Sequence, residues 1–336
     1  MTPWMLDPDN SADIARYLTA HRLVQDAASP MTVTRAGAGN MNLTLRVATA
    51  DGHSVILKQG RPWVEKYPHI PAPFERTIVE AAFYRAVRDD LLIASRMPAL
   101  LYVDEPNHVI ALEDIGAGGD CTSIYAGDSL TASMLSGLLD WLAGLAAVRI
   151  SSDGRAAFHN RAMRALNHEH IFELPLRPAN GLDLDAITPG LGVAAQDLIA
   201  DALYRETVAA IGRRYLQDGA SLVHGDFFPG SWLRRNSLVF VIDPEFCFMG
   251  DAEFDYGVLT AHLILADASA SQLDVVAAAA AARRLDAALV AGYAGVEIMR
   301  RLIGVAQLPL TADLPRKRAW LTHSRRLVVE PNRGLA

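Results

Sequence analysis

In this chain of 336 residues, the run Val223-His224-Gly225-Asp226 delivers a carboxylate to a loop, and Ser231 follows in the same loop. A second apolar run, 238–242, ends in Asp243 and, beyond Pro244, Glu245. Three acids at the ends of strand-like runs suit transfer of a phosphoryl group to a hydroxyl. Asp226 would orient and deprotonate the hydroxyl, while Asp243 and Glu245, as hard oxygen donors, would hold Mg²⁺ against nucleotide phosphates. Ser231 can add an oxygen to that metal shell or bond Asp226. Taken singly these residues are bland, since Asp after Gly is a turn residue and two acids around a proline make a solvated loop. Their joint appearance, each after an apolar strand, is the signal.

Earlier residues offer groups of the same chemistry. Val55-Ile56-Leu57-Lys58 reads as a strand ending in an ammonium that can meet phosphates, and Glu80 lies in a helical stretch at 74–88. Its neighbour Phe83 puts Glu80 at the edge of the apolar stripe, from which it can point at Lys58. Gly37-Ala38-Gly39-Asn40-Met41-Asn42 lies between two strands, and its glycines let backbone N–H groups approach phosphate oxygens. That loop neither completes G-x-G-x-x-G nor ends as a Walker loop. Glu113, Asp114 and Ile115 lie where a strand meets a hinge; their backbone can face an adenine edge or be a plain connection. Arg300 and Arg301 sit in an apolar helical stretch and need anionic or hydroxyl partners, from nearby acids or from the site itself. Asp255 reads as the cap of an apolar helix, with a tether to the catalytic loop as a further use. His168 and His170 are too close for a helical metal pair, which wants i, i+4 spacing.

These groups need elements to carry them. Asn10 or Ser11 can cap a helix running to about Ala20. Strands are expected at 31–35, 43–48, 53–58, 102–103 and 109–112, with Asp51-Gly52 as a hairpin turn and a helix over 74–88. Gly116, Gly118 and Gly119 then loosen the chain into a hinge. Beyond it the pattern is helical apart from the runs near 222 and 238–242, and the leucines at 135, 138, 139, 142 and 145 mark one amphipathic helix. The expectation is an α+β, two-lobe protein: a small β-rich lobe at 1–115 and a larger, mainly helical lobe at 116–336. A net charge of −7 disfavours a nucleic-acid partner, so an anion site must be built locally. Cys121 and Cys247 are the only cysteines and form no C-x-x-C, which suits a reducing, cytoplasmic setting. Asp7, Asp9 and Asp13 interrupt any leader-like run, and the alanines at 277–282 are too few to span a bilayer. A small-molecule acceptor is expected, with no membrane; a homodimer is compatible.

Together these residues resemble the aminoglycoside/choline phosphotransferase family, which has a protein-kinase-like fold. The spacing from Asp226 to Ser231 equals the Asp-to-Asn spacing of the protein-kinase catalytic loop, and the strand ending in Lys58 is close in form to Val-Ala-Ile-Lys. Within the family the likeness is closest to the 5-methylthioribose kinases. It is carried by Gly39-Asn40-Met41-Asn42, by Lys58-Gln59 followed by Pro62-Trp63-Val64-Glu65, and by Ser rather than Asn at 231. The block Val241-Ile242-Asp243-Pro244-Glu245-Phe246, with Phe254-Asp255 beyond and the paired arginines, completes it. The resemblance implies ATP- and Mg²⁺-dependent phosphorylation of a sugar or thiosugar hydroxyl. It puts Gly37, Gly39, Asn40 and Lys58 on ATP, with Glu80 holding the lysine and Glu113, Asp114 and Ile115 at the adenine. Asp226 would be the base, Asp243 and Glu245 metal ligands with Ser231 nearby, and Arg300 and Arg301 would contact substrate or the transferred group. Where family members read His-Gly-Asp-Leu-His, this chain has Phe227 and Phe228, which implies an altered acceptor pocket. Two other readings stand beside this one. One is an aminoglycoside, choline or homoserine-type acceptor, for whose ammonium groups Glu173, Asp183 and Asp185 are candidate acids. The other is a nucleotide-binding pseudokinase acting through a partner.

Overall fold

Side chains alternate across a strand, and in the N-terminal part of the chain that alternation separates an apolar face from the face that carries the lysine. The computed structural model describes residues 3–24, 30–37, 41–116 and 118–333. Its first strands are β1 (Met31–Arg35), β2 (Leu43–Thr49) and β3 (Ser54–Gln59), then a short ribbon of β4 (Trp63–Val64) with β5 (Tyr67–Pro71), then β6 (Leu100–Asp104) and β7 (Val109–Glu113). Five of them form an antiparallel sheet in the order β1-β2-β3-β7-β6. Leu43, Leu45, Val47, Val55 and Leu57 cover one face and bury Ile14 and Leu18 of helix α1 (Ser11–Ala20). Asn10 caps that helix, accepting the Asp13 N–H at 3.1 Å. Ile110 and Leu112 cover the other face with Ala81, Phe83 and Tyr84 of α2 (Arg76–Val87). Lys58 follows Leu57 by one residue, so it points to the α2 side. The short helix α3 (Leu91–Ala94) follows.

The remainder is mostly helical: α4 (Ala132–Ala147), α5 (Arg161–His168), α6 (Leu184–Ile187), α7 (Leu191–Ala200) and α8 (Ala202–Tyr215), then α9 (Glu253–Leu265), α10 (Ala270–Ala282), α11 (Ala287–Ile303) and α12 (Leu314–Val329). Between α8 and α9 lie four short strands, β8 (Ser221–Val223), β9 (Trp232–Arg235), β10 (Leu238–Val241) and β11 (Phe248–Gly250). β9 pairs with β10 and β11 pairs with β8, both antiparallel. The loop holding Asp226 leaves β8, and the turn holding Asp243 and Glu245 leaves β10. α11 packs between α9 and α12, and every residue from Val290 to Ile303 is buried. Among the described residues no helix is long and apolar enough to cross a membrane.

The α+β plan of a β-rich lobe and a helical lobe is as the pattern expects. The β4–β5 ribbon, β9 and β11 were not foreseen. Each is two to five residues long, too short for alternation to register, and β4–β5 crosses a stretch that its prolines disguise.

Candidate active site

Lys58 is 5% exposed and lies between two carboxylates. Glu80, wholly buried on α2, meets its Nζ at 2.5 Å, and Asp243 pairs with it from the turn after β10. Glu80 belongs to a stripe with Thr77, Ala81, Tyr84 and Val87, so the α2 periodicity aims it at the sheet rather than at solvent. Burial alone would lower the Lys58 pKa, but Asp243, Glu80 and Glu245 outweigh it and hold the ammonium well above its ordinary value. Burial pushes the Glu80 carboxyl up to about 8, with Lys58 pulling the other way.

Glu245 is also buried. Asn42 Nδ2 donates to its Oε2 at 2.6 Å, and Arg76 Nε lies 3.4 Å from the same oxygen. Burial, then the neighbouring Asp243, raises its pKa to about 7. The cluster thus sets three carboxylates (Glu80, Asp243, Glu245) against two cations (Lys58, Arg76). Lys58 therefore keeps its proton, while burial first, and the neighbouring Asp243 after it, make Glu80 and Glu245 easy to protonate. A divalent cation bound here would favour their ionised forms. Asp243 is the accessible donor, its side chain 40% exposed, whereas Glu245 would have to share an oxygen with Asn42 and Arg76. Among the described residues no three acid, cysteine or histidine side chains converge as a ready metal cage. Asp243, with Glu245 behind it, is a donor set that fits Mg²⁺, which takes one or two carboxylates and completes its shell with phosphate and water.

Arg76 organises this corner. Its guanidinium donates to the carbonyls of Arg61 and Pro73 at 2.6 and 2.7 Å, and to that of Met41 at 2.6 Å. It thereby ties the end of the glycine loop to the turn that carries Glu245. Asn160 fixes the same turn from below, donating to the carbonyls of Glu245 and Cys247 at 3.0 Å each.

The Asp226 loop is held by its neighbours' backbone. Asp255 accepts the N–H groups of His224 and Gly225 at 2.7 and 3.1 Å, and burial raises its own pKa to about 7. It does not cap α9: Ala252 occupies that position, and the Asp255 side chain reaches across to the loop instead. Gly225 has φ +85°, and a Cβ there would lie 2.2 Å from the Phe246 carbonyl oxygen, so only glycine fits. His224 is fully buried. Its Nδ1 accepts the Asp226 N–H at 3.3 Å, which leaves Nε2–H to donate to Ile242 O at 2.9 Å. One side chain thus joins the Asp226 loop to the residue before Asp243. Ser231 donates its hydroxyl to the Asp226 carbonyl at 3.1 Å, the second of the two uses its sequence position allows.

The Asp226 side chain is 23% exposed and is met by Arg300 Nη2 at 3.1 Å and Arg301 Nη2 at 3.2 Å, both on Oδ1. Both arginines also bond Glu297, so they find acids of their own lobe and reach the site at once. Phe228 lies under Arg301, whose guanidinium carbon is 4.5 Å from the ring centroid. Phe228 stands where the resembling sequences carry a histidine.

At the hinge, Glu113 donates its N–H to Ala99 O at 2.9 Å and accepts the Ala99 N–H at 3.1 Å. Asp114 accepts Arg46 through both oxygens at 2.7 and 2.8 Å, and Ile115 is buried. Gly37 turns with φ +70° in open space; Gly39 and Asn40 lie outside the described residues. Arg76, Asn160, Glu297 and His262 belong to the assembly but were not singled out beforehand, and Asn42 entered only as part of the glycine-loop motif. Glu297 carried a signal, as a charged residue closing the apolar run 287–296. Arg76, between Glu75 and Thr77, and Asn160 carried none.

A five-stranded antiparallel sheet with a lysine–glutamate pair, set on a helical lobe whose loops present Asp226 and Asp243, is a kinase-like architecture. A solved spectinomycin phosphotransferase with ADP and spectinomycin shares that fold, with a TM-score of 0.56 over 96% of this chain and 98% of its own at 10% identity. The chain belongs to the phosphotransferase enzyme family, whose model matches residues 32–294. It is 26% identical to a methylthioribose kinase of Exiguobacterium sibiricum over 70% of this chain, a match that spans 62% of that enzyme's length. Against the methylthioribose kinase of Geobacillus kaustophilus it is 25% identical, over 90% of this chain and 88% of that enzyme.

Proposed function

We propose that the protein is an ATP- and Mg²⁺-dependent kinase that phosphorylates a hydroxyl of a small sugar or thiosugar, in the manner of the methylthioribose kinases. The observation that carries this reading is the pairing of Lys58 with Glu80 and Asp243, one residue beyond the His224 bond that leads to Asp226. Lys58 would bind nucleotide phosphates, with the glycine loop at 37–42 above them and the backbone of Asp114 and Ile115 at the adenine edge. Asp243 would hold Mg²⁺ with Glu245 behind it, and the ion would neutralise charge on the transferring phosphoryl group. Asp226 would orient the acceptor hydroxyl and take its proton, with Arg300 and Arg301 facing the acceptor or the incoming phosphoryl group.

The charges around Asp226 favour an uncharged polyol over a cationic acceptor. Arg300 and Arg301 bring two positive charges to Asp226. The acids that might have served an ammonium group are engaged elsewhere. Asp183 accepts Ala186 N–H at 3.0 Å, Asp185 accepts Gly192 N–H at 2.8 Å, and Glu173 pairs with Arg177 at 2.7 Å.

The test is ADP release with ATP and Mg²⁺ across methylthioribose, simple pentoses, choline, homoserine and aminoglycosides. Acceptor-dependent ADP should appear with the sugars and fall by roughly 10²–10⁴-fold in Asp226→Asn, with nucleotide affinity retained. Full turnover in that variant would show that Asp226 is not the base. Nucleotide binding without turnover on any acceptor would favour the pseudokinase reading.

A further inference from the structure

Neighbouring residues on an α-helix point about 100° apart. Arg300 and Arg301 nevertheless bring Nη2 to one oxygen of Asp226. Something must turn the two side chains toward each other, and Glu297 stands three and four positions earlier on α11. Arg300 Nε donates to its Oε2, and Arg301 Nε donates to its Oε1 at 2.8 Å. Burial alone would raise the Glu297 pKa, but the two arginines outweigh it and hold the group ionised, well below the usual range. An ionised carboxylate only accepts hydrogen bonds, so the His262 Nε2 that lies 2.9 Å away must carry its proton. In a neutral ring Nδ1 is then the acceptor, and Tyr125 OH lies 2.6 Å from it. Burial, with a push from both arginines, lowers the His262 pKa to about 4, so the ring is neutral near pH 7. Phe228 closes the remaining side: it stacks under Arg301 and lies 5.6 Å from the His262 ring.

We propose that Tyr125, His262 and Glu297 are positioning residues, a directed hydrogen-bond chain that turns Arg300 and Arg301 onto Asp226. Every donor in the chain has one acceptor: Tyr125 O–H to His262, His262 N–H to Glu297, arginine Nε–H to Glu297, arginine Nη–H to Asp226. The chain brings in Tyr125, from the segment before α4, and His262 of α9, neither of which touches Asp226. The proposal rests on the kinase reading only for its kinetic consequence; the hydrogen-bond directions stand apart from it.

Two measurements test it on the intact protein. The first is steady-state kinetics of wild type, His262→Leu, His262→Gln and Tyr125→Phe. His262→Leu should lower kcat between about tenfold and about 10²-fold while the nucleotide KM stays within about twofold. His262→Gln, which keeps a donor toward Glu297, should recover most of that loss. Tyr125→Phe, which removes one hydroxyl and serves if His262→Leu fails to fold, should fall between them. Wild-type kcat in both His262→Leu and Tyr125→Phe would overturn the proposal, and so would an equal loss in His262→Leu and His262→Gln. The second is nitrogen NMR of the His262 imidazole, which needs no turnover. Wild type should show the Nε2–H tautomer, and a Nδ1–H signal would overturn the chain. A wild type that turns over no acceptor would instead sink the kinase reading and leave the NMR result to decide this one.

Discussion

At the scale of single residues, the site is built from buried charges that are affordable only because each has partners. Removing one member of such a set leaves the others desolvated and unmatched, which costs about 3–5 kcal/mol where both partners are buried. His262 offers the cleanest reading of that economy through pH. In an unfolded chain histidine titrates near 6.5, whereas folded His262 takes a proton only near about 4. Between those values the unfolded state binds the extra proton, so stability rises with pH across the window and is lost on acidification. The difference amounts to about 2–3 kcal/mol between pH 7 and roughly pH 4.5. Chemical denaturation at both pH values should show that share of the acid loss disappearing in His262→Gln. An unchanged acid loss would assign the proton uptake to other groups.

At the scale of elements, short strands act as clamps for loops. β8 and β11 pair for three residues each, yet they set where the Asp226 loop leaves the lobe, and Gly225 lets that loop pass beneath Phe246. Gly225→Ala would combine a left-handed backbone with a Cβ inside a carbonyl contact. It should destabilise the protein by more than about 2 kcal/mol, read from the denaturant midpoint, and depress turnover of the fraction that folds. A midpoint within about 0.5 kcal/mol of wild type would mean that the loop can re-route without Asp226 losing its place. Arg76 plays the corresponding part in the N-terminal lobe: one guanidinium serves the glycine-loop end, the start of its own helix and the turn carrying Glu245.

For the whole molecule, Lys58 to Asp243, Asn42 to Glu245 and Arg76 to Glu245 are among the contacts that join the two lobes. On the proposed function these contacts lie where nucleotide phosphates and a metal would enter, so ligand binding should exchange them for stronger ones. Mg²⁺-ATP at about 100 times its Kd adds ~2.7 kcal/mol to stability, which for a chain of this size raises Tm on the order of 5 °C. Thermal melts should show that rise in wild type and in Asp226→Asn, and a much smaller one in Asp243→Asn. An equal rise in all three would remove Asp243 from the nucleotide and metal site.

The sequence by itself determined much of the local order: the longer strands, Lys58 near the end of one, Asp226 and Asp243 in the loops after two others, and Glu80 on a helical stripe. Periods of two and of three to four residues, along with turn glycines, are properties of neighbouring residues, and they need no knowledge of the rest of the chain. Only the tertiary structure decided what those residues meet. Asp255 shows it: its position before an apolar helix reads first as a cap and only second as a tether, yet the fold keeps the tether alone, its carboxylate bonding the loop some thirty residues earlier. Glu245 likewise follows a strand as an exposed acid would, but it is buried and accepts from Asn42, about two hundred residues away. Arg300, Arg301, Glu297, His262 and Tyr125 form one hydrogen-bonded chain drawn from three separate segments, and no spacing announces it. The reason is physical. A buried charge takes its partner from whichever element packs against it, and packing is a property of the whole fold.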